Sequence, residues 1–391
     1  MTNARFLQVH SLHSYPAALI NRDDSGLAKR MPFGNAIRTR ISSQCLKRHW
    51  RTAEDEFAIR DATSDGLAIR SRNIVEREVI DPLRDAERAE EDVIEAVEEA
   101  FNVGVYGDSG TTERGRQPLL LGLPEVEYLR ARAAEILDAH PDDAKAAGDA
   151  AKQLFQVRAG EGENFRAFRK QAGLPGGIEG ALFGRMVTSD PAANIEAAVH
   201  VAHAFTVHQE ESESDYFSVV DDLQTDDEDA GAAHIGDTEL TAGLFYGYVV
   251  VDLPGLVSNL EGCEANDWID ADRELAADVV ERLVHLIATV SPGAKRGSTA
   301  PYSYADLMLV EAGSRQPRSL ANAFRNPVAP QLADAVPALG AHLDRLDAAY
   351  GAHELRRWML VDDFRAPDAE QVNLDELADW AACVVRNGDA S

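Results

Sequence analysis

The stretch that decides the fold is Ile41-Ser42-Ser43-Gln44-Cys45-Leu46-Lys47-Arg48-His49-Trp50-Arg51. Ser42 or Ser43 can cap a helix here, because a serine hydroxyl accepts a hydrogen bond from an unpaired amide of the first turn. Apolar side chains then recur at helical spacing and predict one buried stripe, formed by Leu46, Trp50, Ala53 and Phe57. The opposite side carries Gln44, Lys47, Arg48 and Arg51. Because the free amides of a helix N-terminus attract anions, this cationic side predicts a phosphate contact.

The segment before this helix is also cationic. It contains Leu19-Ile20-Asn21-Arg22-Asp23-Asp24 and Lys29-Arg30. In residues 1–51, nine Lys and Arg stand against two Asp, a net charge of +7 in a chain whose total is -29. The other 340 residues therefore carry -36. A genome that favours acidic surfaces would explain the acid excess but not the basic start, so the distribution favours a groove for a polyanion.

Length and composition set wide limits on the fold and on the chemistry. A chain of 391 residues is long enough for two or three lobes. Its most apolar run, 244–251, is too short for a membrane span, and the N-terminus lacks the apolar segment of a signal peptide. Cys45, Cys263 and Cys383 are isolated, which argues against a disulfide framework or a zinc knuckle. We expect a cytoplasmic protein with no metal and no cofactor.

The order of the predicted elements indicates an α+β fold. Hydrophobic periodicity predicts a strand at 6–12, the helix described above, strands at 199–207 and 241–253, a helix at 275–287 and a strand at 306–311. This is the order of the ferredoxin-like βαββαβ plan. RNA-recognition domains use that plan and bind nucleic acid on the open face of the sheet.

Two segments are predicted to interrupt this core domain, which comprises 1–59, 197–207 and 241–326. Residues 60–196 are rich in Ala, Glu, Asp and Arg and predict an inserted helical lobe with a second cationic cluster, Arg158, Arg166, Arg169 and Lys170. Residues 208–240 join two predicted strands, and twelve acids without any Lys or Arg between 207 and 239 predict an exposed hairpin. Residues 327–391 are predicted to form a C-terminal helical region.

Five motifs resemble those of one known family. They are 19–24 and 40–48, quoted in part above, Ala181-Leu182-Phe183-Gly184-Arg185-Met186, Tyr216-Phe217-Ser218-Val219-Val220-Asp221-Asp222-Leu223 and Ser319-Leu320-Ala321-Asn322-Ala323-Phe324. The chain thereby resembles the backbone subunit of the type I-E CRISPR antiviral surveillance complex Cascade, the CasC family of the Cas-seven superfamily. The motifs occur in order over almost the whole chain.

The resemblance implies an RNA-recognition-motif-like palm, a helical finger lobe at 60–196 and a protruding thumb hairpin at 208–240. It implies a non-enzymatic subunit that binds the guide RNA (crRNA), stacks with copies of itself and presents the guide to target DNA. The other implied partners are the large, small, guide-processing and tail subunits of Cascade, and no membrane. The implied RNA-binding residues are Asn21, Arg22, Lys29, Ser42, Gln44, Lys47, Arg48, Arg51, Arg166, Arg169, Tyr216, Phe217, Lys295 and Arg296.

The same residues also allow interpretations other than RNA binding. The cationic side of the helix could be an ordinary solvated face. Asp23-Asp24 could hold a divalent metal and cleave RNA, whereas the resemblance favours a pair that caps its turn and contacts Arg22, Lys29 or Arg30. The histidines His200, His203 and His208 are expected to be sheet residues, because side chains alternate along a strand. The acidic hairpin could also belong to a protein-binding scaffold without RNA.

Overall fold

A computed structural model describes residues 3–63, 67–107, 112, 115–155, 176–186, 194–219, 234–362 and 369–388. The chain divides into two compact units. The first unit comprises Met1–Ala58, His200–Val251 and Ala277–Ser391, and the second comprises Ile59–Val199 and Asp252–Ala276. Among the described residues, no helix is long and apolar enough to cross a membrane.

The strands follow one another along the chain as β1 Phe6–Ala18, β2 Arg30–Phe33, β3 Ala36–Ile41, β4 Ala68–Ser71, β5 Leu119–Gly122, β6 Val199–Val201, β7 Ala204–Thr206, β8 Ser212–Val219, β9 His234–Asp252, β10 Ala305–Gly313, β11 Leu355–Leu360 and β12 Glu370–Gln371. The α-helices are Ser43–Arg51, Asp81–Asp85, Glu91–Tyr106, Leu123–Ala139, Ala144–Phe155, Gly177–Phe183, Leu253–Glu261, Glu274–Thr289, Arg296–Thr299, Leu332–Tyr350 and Leu374–Asn387. A π-helical segment lies at Val75–Ile80, and 3-10 turns lie at Ile59–Ala62 and Ala321–Phe324.

The first unit is built on one large, mostly antiparallel sheet. Its strand order is β12-β11-β10-β1-β9-β7-β3-β2, and β6 and β8 also pair with β9. Strands β1 and β10 run antiparallel with Phe6 opposite Gly313, β11 runs antiparallel to β10, and β12 runs parallel to β11. The α+β class predicted from the sequence is thus present.

Alternating side chains carry two layers on opposite faces of this sheet. Ala204 and Phe245 pack with Leu46 of the first helix, Ser43–Arg51. Their strand neighbours Phe205 and Tyr246 belong to a second cluster that includes Leu339 of the Leu332–Tyr350 helix, and Phe324. Because successive residues of a strand point to opposite faces, the two helices cover opposite sides of the sheet. The Leu332–Tyr350 layer therefore covers the face of the sheet opposite to the first helix.

A buried polar network joins this second layer to the sheet. His10 Nε2 donates to the Glu311 carboxylate (3.1 Å), and His10 Nδ1 accepts from the Tyr246 hydroxyl (2.8 Å). The Tyr246 oxygen in turn accepts the Leu320 N–H (3.0 Å), so each proton has one acceptor. Burial lowers the pKa of His10 and outweighs the opposing effect of Glu311. His10 is therefore neutral, with its proton on Nε2.

The charge of Glu311 is balanced within the same network. The Arg318 guanidinium donates to Glu311 at 2.8 and 3.1 Å, and Arg356 donates to it at 2.6 Å. Burial alone would raise the pKa of Glu311, but the hydrogen bonds from His10 and Arg318 and the charge of Arg318 hold it well below its usual range. A fully buried carboxylate is tolerated here because it is paired and hydrogen-bonded.

The second unit holds a separate apolar core from its helices and from the antiparallel pair β4–β5. Its most buried ion pair joins Arg185 and Glu125 at 2.6 Å, with each side chain 1% exposed. Glu125 also accepts the amides of Gly122 (2.9 Å) and Gly176 (3.2 Å). The arginine of the 181–186 motif therefore stabilises the fold of this unit. Residues 252–276, which the sequence analysis places in the core domain, cluster with this unit instead.

The structure adds strands that the sequence patterns do not predict. The segment between β1 and the first helix contains the hairpin β2–β3, whose two-residue turn begins at Gly34 with φ +63°. The C-terminal region, expected to be helical, contributes β11 and β12 to the main sheet beside its helices. Strand β11 packs the fully buried Trp358 into the sheet. The cations Arg158, Arg166, Arg169 and Lys170 and residues 220–233 of the predicted hairpin lie outside the described residues.

The neutral state of His10 predicts a pH-dependent stability. The pKa of His10 is lower in the folded state than the unfolded value of about 6.5, so the unfolded chain takes up the proton first on acidification. We expect the free energy of unfolding, measured by urea denaturation, to fall between about pH 7 and about pH 5. His10→Gln should lose less stability over that interval, since a glutamine amide can donate to Glu311 and accept from Tyr246.

The matched control for this prediction is His353→Gln. His353 is exposed, so its replacement should leave the pH dependence of the parent chain unchanged. An equal loss of stability on acidification in His10→Gln and in the parent chain would contradict the role given to His10.

Candidate nucleic-acid interface

The first helix begins where the sequence predicts. Ser42 is its N-cap, and the Ser42 Oγ accepts the Cys45 N–H at 3.3 Å, so the capping prediction is confirmed for this serine. The Ser42 N–H donates to Asn21 Oδ1 (2.9 Å), and the Ser43 N–H donates to His203 Nδ1 (3.1 Å). The loop and the β6–β7 connection therefore hold the start of the helix in place.

These contacts leave fewer free amides at the helix N-terminus than the sequence predicts. The amides of Ser43 and Cys45 already have acceptors within the chain. In the described part of the chain, the Gln44 N–H is the amide of the first turn without a hydrogen bond. The helix itself is also shorter than its predicted apolar stripe, because it ends at Arg51 and leaves Ala53 and Phe57 beyond it.

Cations from four segments converge around the first helix, and we call Lys29, Arg40, Arg48 and Arg296 the cationic cluster. Burial raises the pKa of the Cys45 thiol to about 11, although Lys29, Arg48 and Arg296 are close enough to oppose that rise. Partial burial lowers the pKa of His203, and Arg40 and Lys29 lower it further. Lys29 therefore lies near both Cys45 and His203, whereas Arg48 and Arg296 lie near Cys45 and Arg40 lies near His203, so the four cations occupy adjoining positions around the start of the helix.

Backbone contacts bring the Arg296 segment to the helix. The Ala294 N–H donates to the Leu19 carbonyl at 3.0 Å. His49 donates from Nδ1 to the Cys45 carbonyl (2.8 Å) and accepts the Gly293 N–H at Nε2 (3.4 Å). A neutral histidine in the last turn of the helix thus joins it to a segment 244 residues further along the chain.

The cationic cluster lacks ion pairs with acids in the part of the chain that the structure describes. Among the described residues, none of its four members forms an ion pair, and Arg22 of the preceding loop forms none either. Arg22, Arg48 and Arg296 are exposed, and Lys29 and Arg40 are half-buried. Arg40 was not among the predicted contacts, although it belongs to the motif at 40–48.

Other predicted contacts are engaged within the chain. Ser42 and Asn21 form the helix cap, and Ser42 is buried. Lys47 and Arg51 each have an intramolecular partner, and burial lowers the pKa of Lys47. Gln44 is exposed at the helix N-terminus. The exposed cationic side of the helix is therefore centred on Arg48.

The basic count of the N-terminal region overstates the charge available to a ligand. Arg38 is fully buried and donates to the backbone carbonyls of Thr206 (2.9 Å), His208 (3.2 Å) and Phe324 (2.8 Å). Arg30 is ion-paired with two glutamates of other segments. Both arginines hold the fold together.

The first acid of the pair at 23–24 caps its own turn. Asp23 Oδ1 accepts the amides of Ser25 (2.9 Å) and Leu27 (3.0 Å), which is the turn-capping role of an aspartate. Within the described ranges, no group of three or more His, Cys, Asp or Glu side chains could hold a metal ion. The expected pairing of these acids with Arg22, Lys29 or Arg30 is wrong for the described residues, because Arg22 and Lys29 form no ion pair there and Arg30 contacts Glu210 and Glu239 instead.

The two aromatics at 216–217 lie on opposite faces of the β8–β9 ribbon. Tyr216 is opposite Asp237, and Phe217 is opposite Gly236. Lys295 Nζ lies 5.7 Å from the centroid of the Phe217 ring, whereas Tyr216 is 65% exposed. A single base can therefore meet one of these aromatics but not both.

A family model described as CT1975-like protein matches residues 7–381. The chain is similar to a chain of a CRISPR RNA-guided surveillance complex in a pre-nicking state, with 25% identity, a TM-score of 0.76, and coverage of 97% of this chain and 100% of that one. It shares its fold with a chain of a CRISPR RNA-guided surveillance complex at 22% identity and a TM-score of 0.54, over 95% and 98% of the two chains. No curated protein matches the sequence significantly. Because the family model spans nearly the whole chain, this protein belongs to the CT1975-like family, a Cascade-backbone type of CRISPR protein.

Proposed function

We propose that this protein binds crRNA through the cationic cluster and forms, with further copies of itself, the backbone of a type I-E Cascade complex. The observation that carries the proposal is that five cations without ion pairs in the described structure lie on segments that meet at one helix of a chain with a net charge of -29. They are the cationic cluster and Arg22, which follows the Asn21 that accepts from Ser42 at the helix start. Unpaired cations so close together repel one another, and a polyanion relieves that repulsion.

The strand order supports an RNA-recognition-motif-like palm. The ferredoxin-like plan has one strand before its first helix and one after it, and we assign β1 and β7 to these two places. The next strand is then β9, and β10 follows the Glu274–Thr289 helix. In the sheet these four strands are arranged β10-β1-β9-β7. This is the order of the ferredoxin-like plan. On this assignment the second unit corresponds to the finger lobe, and β8–β9 forms the base of the thumb.

The covered sheet changes where RNA would bind on such a palm. The Leu332–Tyr350 helix and Phe324 pack over the face that RNA-recognition domains use. We therefore propose that the RNA follows the edge formed by the first helix, the loop at 21–30 and the segment at 293–299. Arg48 and Arg296 would contact phosphates there, and the bases would point away from the protein.

Contacts of this kind position a strand without reading its sequence. A guide-carrying scaffold needs that property, because each guide differs in sequence. With roughly five phosphates neutralised by each copy, the logarithm of the RNA binding constant should fall with the logarithm of the salt concentration at a slope of about -3.5.

Binding of neighbouring copies would follow from charge as well. The segment at 207–239 carries twelve acids and no Lys or Arg. Opposite charges across an interface fix its register and speed its formation. We propose that the hairpin of one copy lies against a basic surface of the next, and that other Cascade subunits and target DNA join the assembled filament.

We propose a scaffold rather than a ribonuclease. The turn-capping role of Asp23 supports this choice, because both amide donors compete with a metal for the same carboxylate oxygen. A two-metal or one-metal mechanism would need further ligands around Asp23 and Asp24.

Charge reversal tests the RNA interface. Arg48→Glu and Arg296→Glu should each raise the Kd for single-stranded RNA about tenfold, because each replaces a phosphate contact with a repulsion. The loss should be the same for RNAs of unrelated sequence. Fluorescence anisotropy with two labelled RNAs at several salt concentrations measures both the Kd and its salt dependence.

Arg345→Glu is the matched control. Arg345 is exposed on the Leu332–Tyr350 helix, on the opposite side of the sheet, and forms no ion pair within the described residues. Its variant should bind RNA within about twofold of the parent chain, since exposed charges beyond about 10 Å are screened by salt. An equal loss in all three variants, or a loss confined to one RNA, would refute the proposed interface.

The scaffold role predicts that bound RNA is not cut. Assembled complex incubated with RNA complementary to its guide and with magnesium should leave that RNA intact on a denaturing gel. Regularly spaced fragments that disappear in Asp23→Asn or Asp24→Asn would instead support the ribonuclease.

A further inference from the structure

The β8–β9 ribbon extends from the sheet as a two-stranded arm, which we define as residues 212–219 and 234–241. Its register runs from Ser212 opposite Thr241 to Val219 opposite His234. Because side chains alternate along a strand, Glu239 and Thr238 point to opposite faces of the arm. Each of these two residues contacts a different cationic segment.

Arg30 joins one face of the arm to the loop at 21–30. Its guanidinium is ion-paired with Glu239 on β9 and with Glu210 just before β8. Glu239 also accepts the Ala28 N–H at 2.6 Å. The side chains of Glu210 and Glu239 are 19% and 10% exposed, so solvent screens these contacts far less than a surface pair.

Arg30 has little capacity left for a phosphate. Nε and Nη2 are committed to the two glutamates, and Nη1 donates to the Ala28 carbonyl at 3.3 Å. The Arg30 carbonyl accepts from Arg40 Nε at 3.2 Å. Arg30 therefore lies between Lys29 and Arg40 of the cationic cluster, but its charge is paired with two glutamates of the same chain.

Lys295 contacts the other face of the arm. Its Nζ donates to Thr238 Oγ1 at 2.8 Å and lies over the Phe217 ring. The next residue in the chain is Arg296 of the cationic cluster. The arm is thus held between two of the four segments that supply the cluster, the loop at 21–30 and the segment of Lys295 and Arg296.

We propose that Arg30 and Lys295 are positioning residues, which hold the arm from its two faces and so fix the geometry of the cationic cluster on either side. Glu239 is the acid through which Arg30 acts. This inference rests on the proposed RNA-binding function. It also explains why a carboxylate is kept beside the cluster, where its charge alone would weaken the binding of a polyanion.

The proposal and simple electrostatics predict opposite signs for one substitution. Glu239→Ala removes a negative charge near the cluster, so electrostatics alone predicts equal or tighter RNA binding. If the arm positions the cluster, the same variant should bind single-stranded RNA about fivefold more weakly. Fluorescence anisotropy at constant salt gives the Kd of each variant, and thermal melting establishes that each is folded.

Glu213→Ala is the matched control for charge. Glu213 lies on the same arm, opposite Leu240, is exposed, and forms no ion pair in the described ranges. Its loss should leave RNA affinity unchanged or slightly raised. Equal affinities of Glu239→Ala and Glu213→Ala, with the parent chain binding RNA, would overturn the inference.

A double-mutant cycle separates positioning from direct contact. If Arg30 acts through Glu239, the variant Arg30→Gln/Glu239→Ala should bind RNA no more weakly than Arg30→Gln alone. Arg30→Lys provides a second measure, since it keeps the charge but cannot bridge two carboxylates, and we expect it to weaken binding. Additive losses, or an unaltered affinity in Arg30→Lys, would contradict the positioning role.

Hydrogen exchange tests the contact without RNA. In the parent chain, the Ala28 amide should exchange slowly because it donates to Glu239, and it should exchange faster in Glu239→Ala but not in Glu213→Ala. If the parent chain fails to bind RNA while this pattern is observed, the proposed function is wrong, and the contact of Glu239 with the loop at 21–30 is still supported. If the pattern is absent, that contact is refuted.

Discussion

The hydrogen bonds at the start of the first helix are the constraint on which the interface depends. Ser42 donates to Asn21, and Ser43 donates to His203, so one helix end is tied to the loop before it and to the sheet beside it. Both contacts use amides that an isolated helix would leave unpaired. With the helix end fixed, Arg48 is presented on the same side as Lys29 and Arg40. Most amides at this helix end therefore form hydrogen bonds within the chain, and side chains supply the positive charge that an anion would meet.

The sheet shows a similar division between structure and binding. The pairing of His10 with Glu311 and Tyr246 closes one face with a helical layer, and the first helix closes the other. A sheet covered on both sides contributes rigidity, which the proposed filament would need so that each copy repeats the same geometry. The proposed RNA site therefore lies at the edge of the sheet, where loops and helix ends converge.

Local patterns allowed prediction of those features that depend on near neighbours in the sequence. The Ser42 cap, the helix up to Arg51 and the strand β10 follow from capping chemistry and periodicity. Strand β11 was missed because its alternation is broken by two adjacent arginines whose partners lie elsewhere: Arg356 pairs with Glu311 and Asp347, and Arg357 pairs with Glu370. The sequence could not predict the pairing of Arg30 either, since Glu210 and Glu239 are 180 and 209 residues away. Cationic composition alone therefore identified a region, but not which of its side chains are free to bind.

Cys45 lies among three cations close to a helix N-terminus, a setting that ordinarily activates a thiol. Burial dominates here and raises its pKa to about 11, so the sulfur stays protonated near neutral pH and is a poor nucleophile. Cys383, by contrast, is exposed on the last helix. Maleimide or iodoacetamide reagents should therefore modify Cys383 first, and a fluorophore can be attached there without altering the cationic cluster.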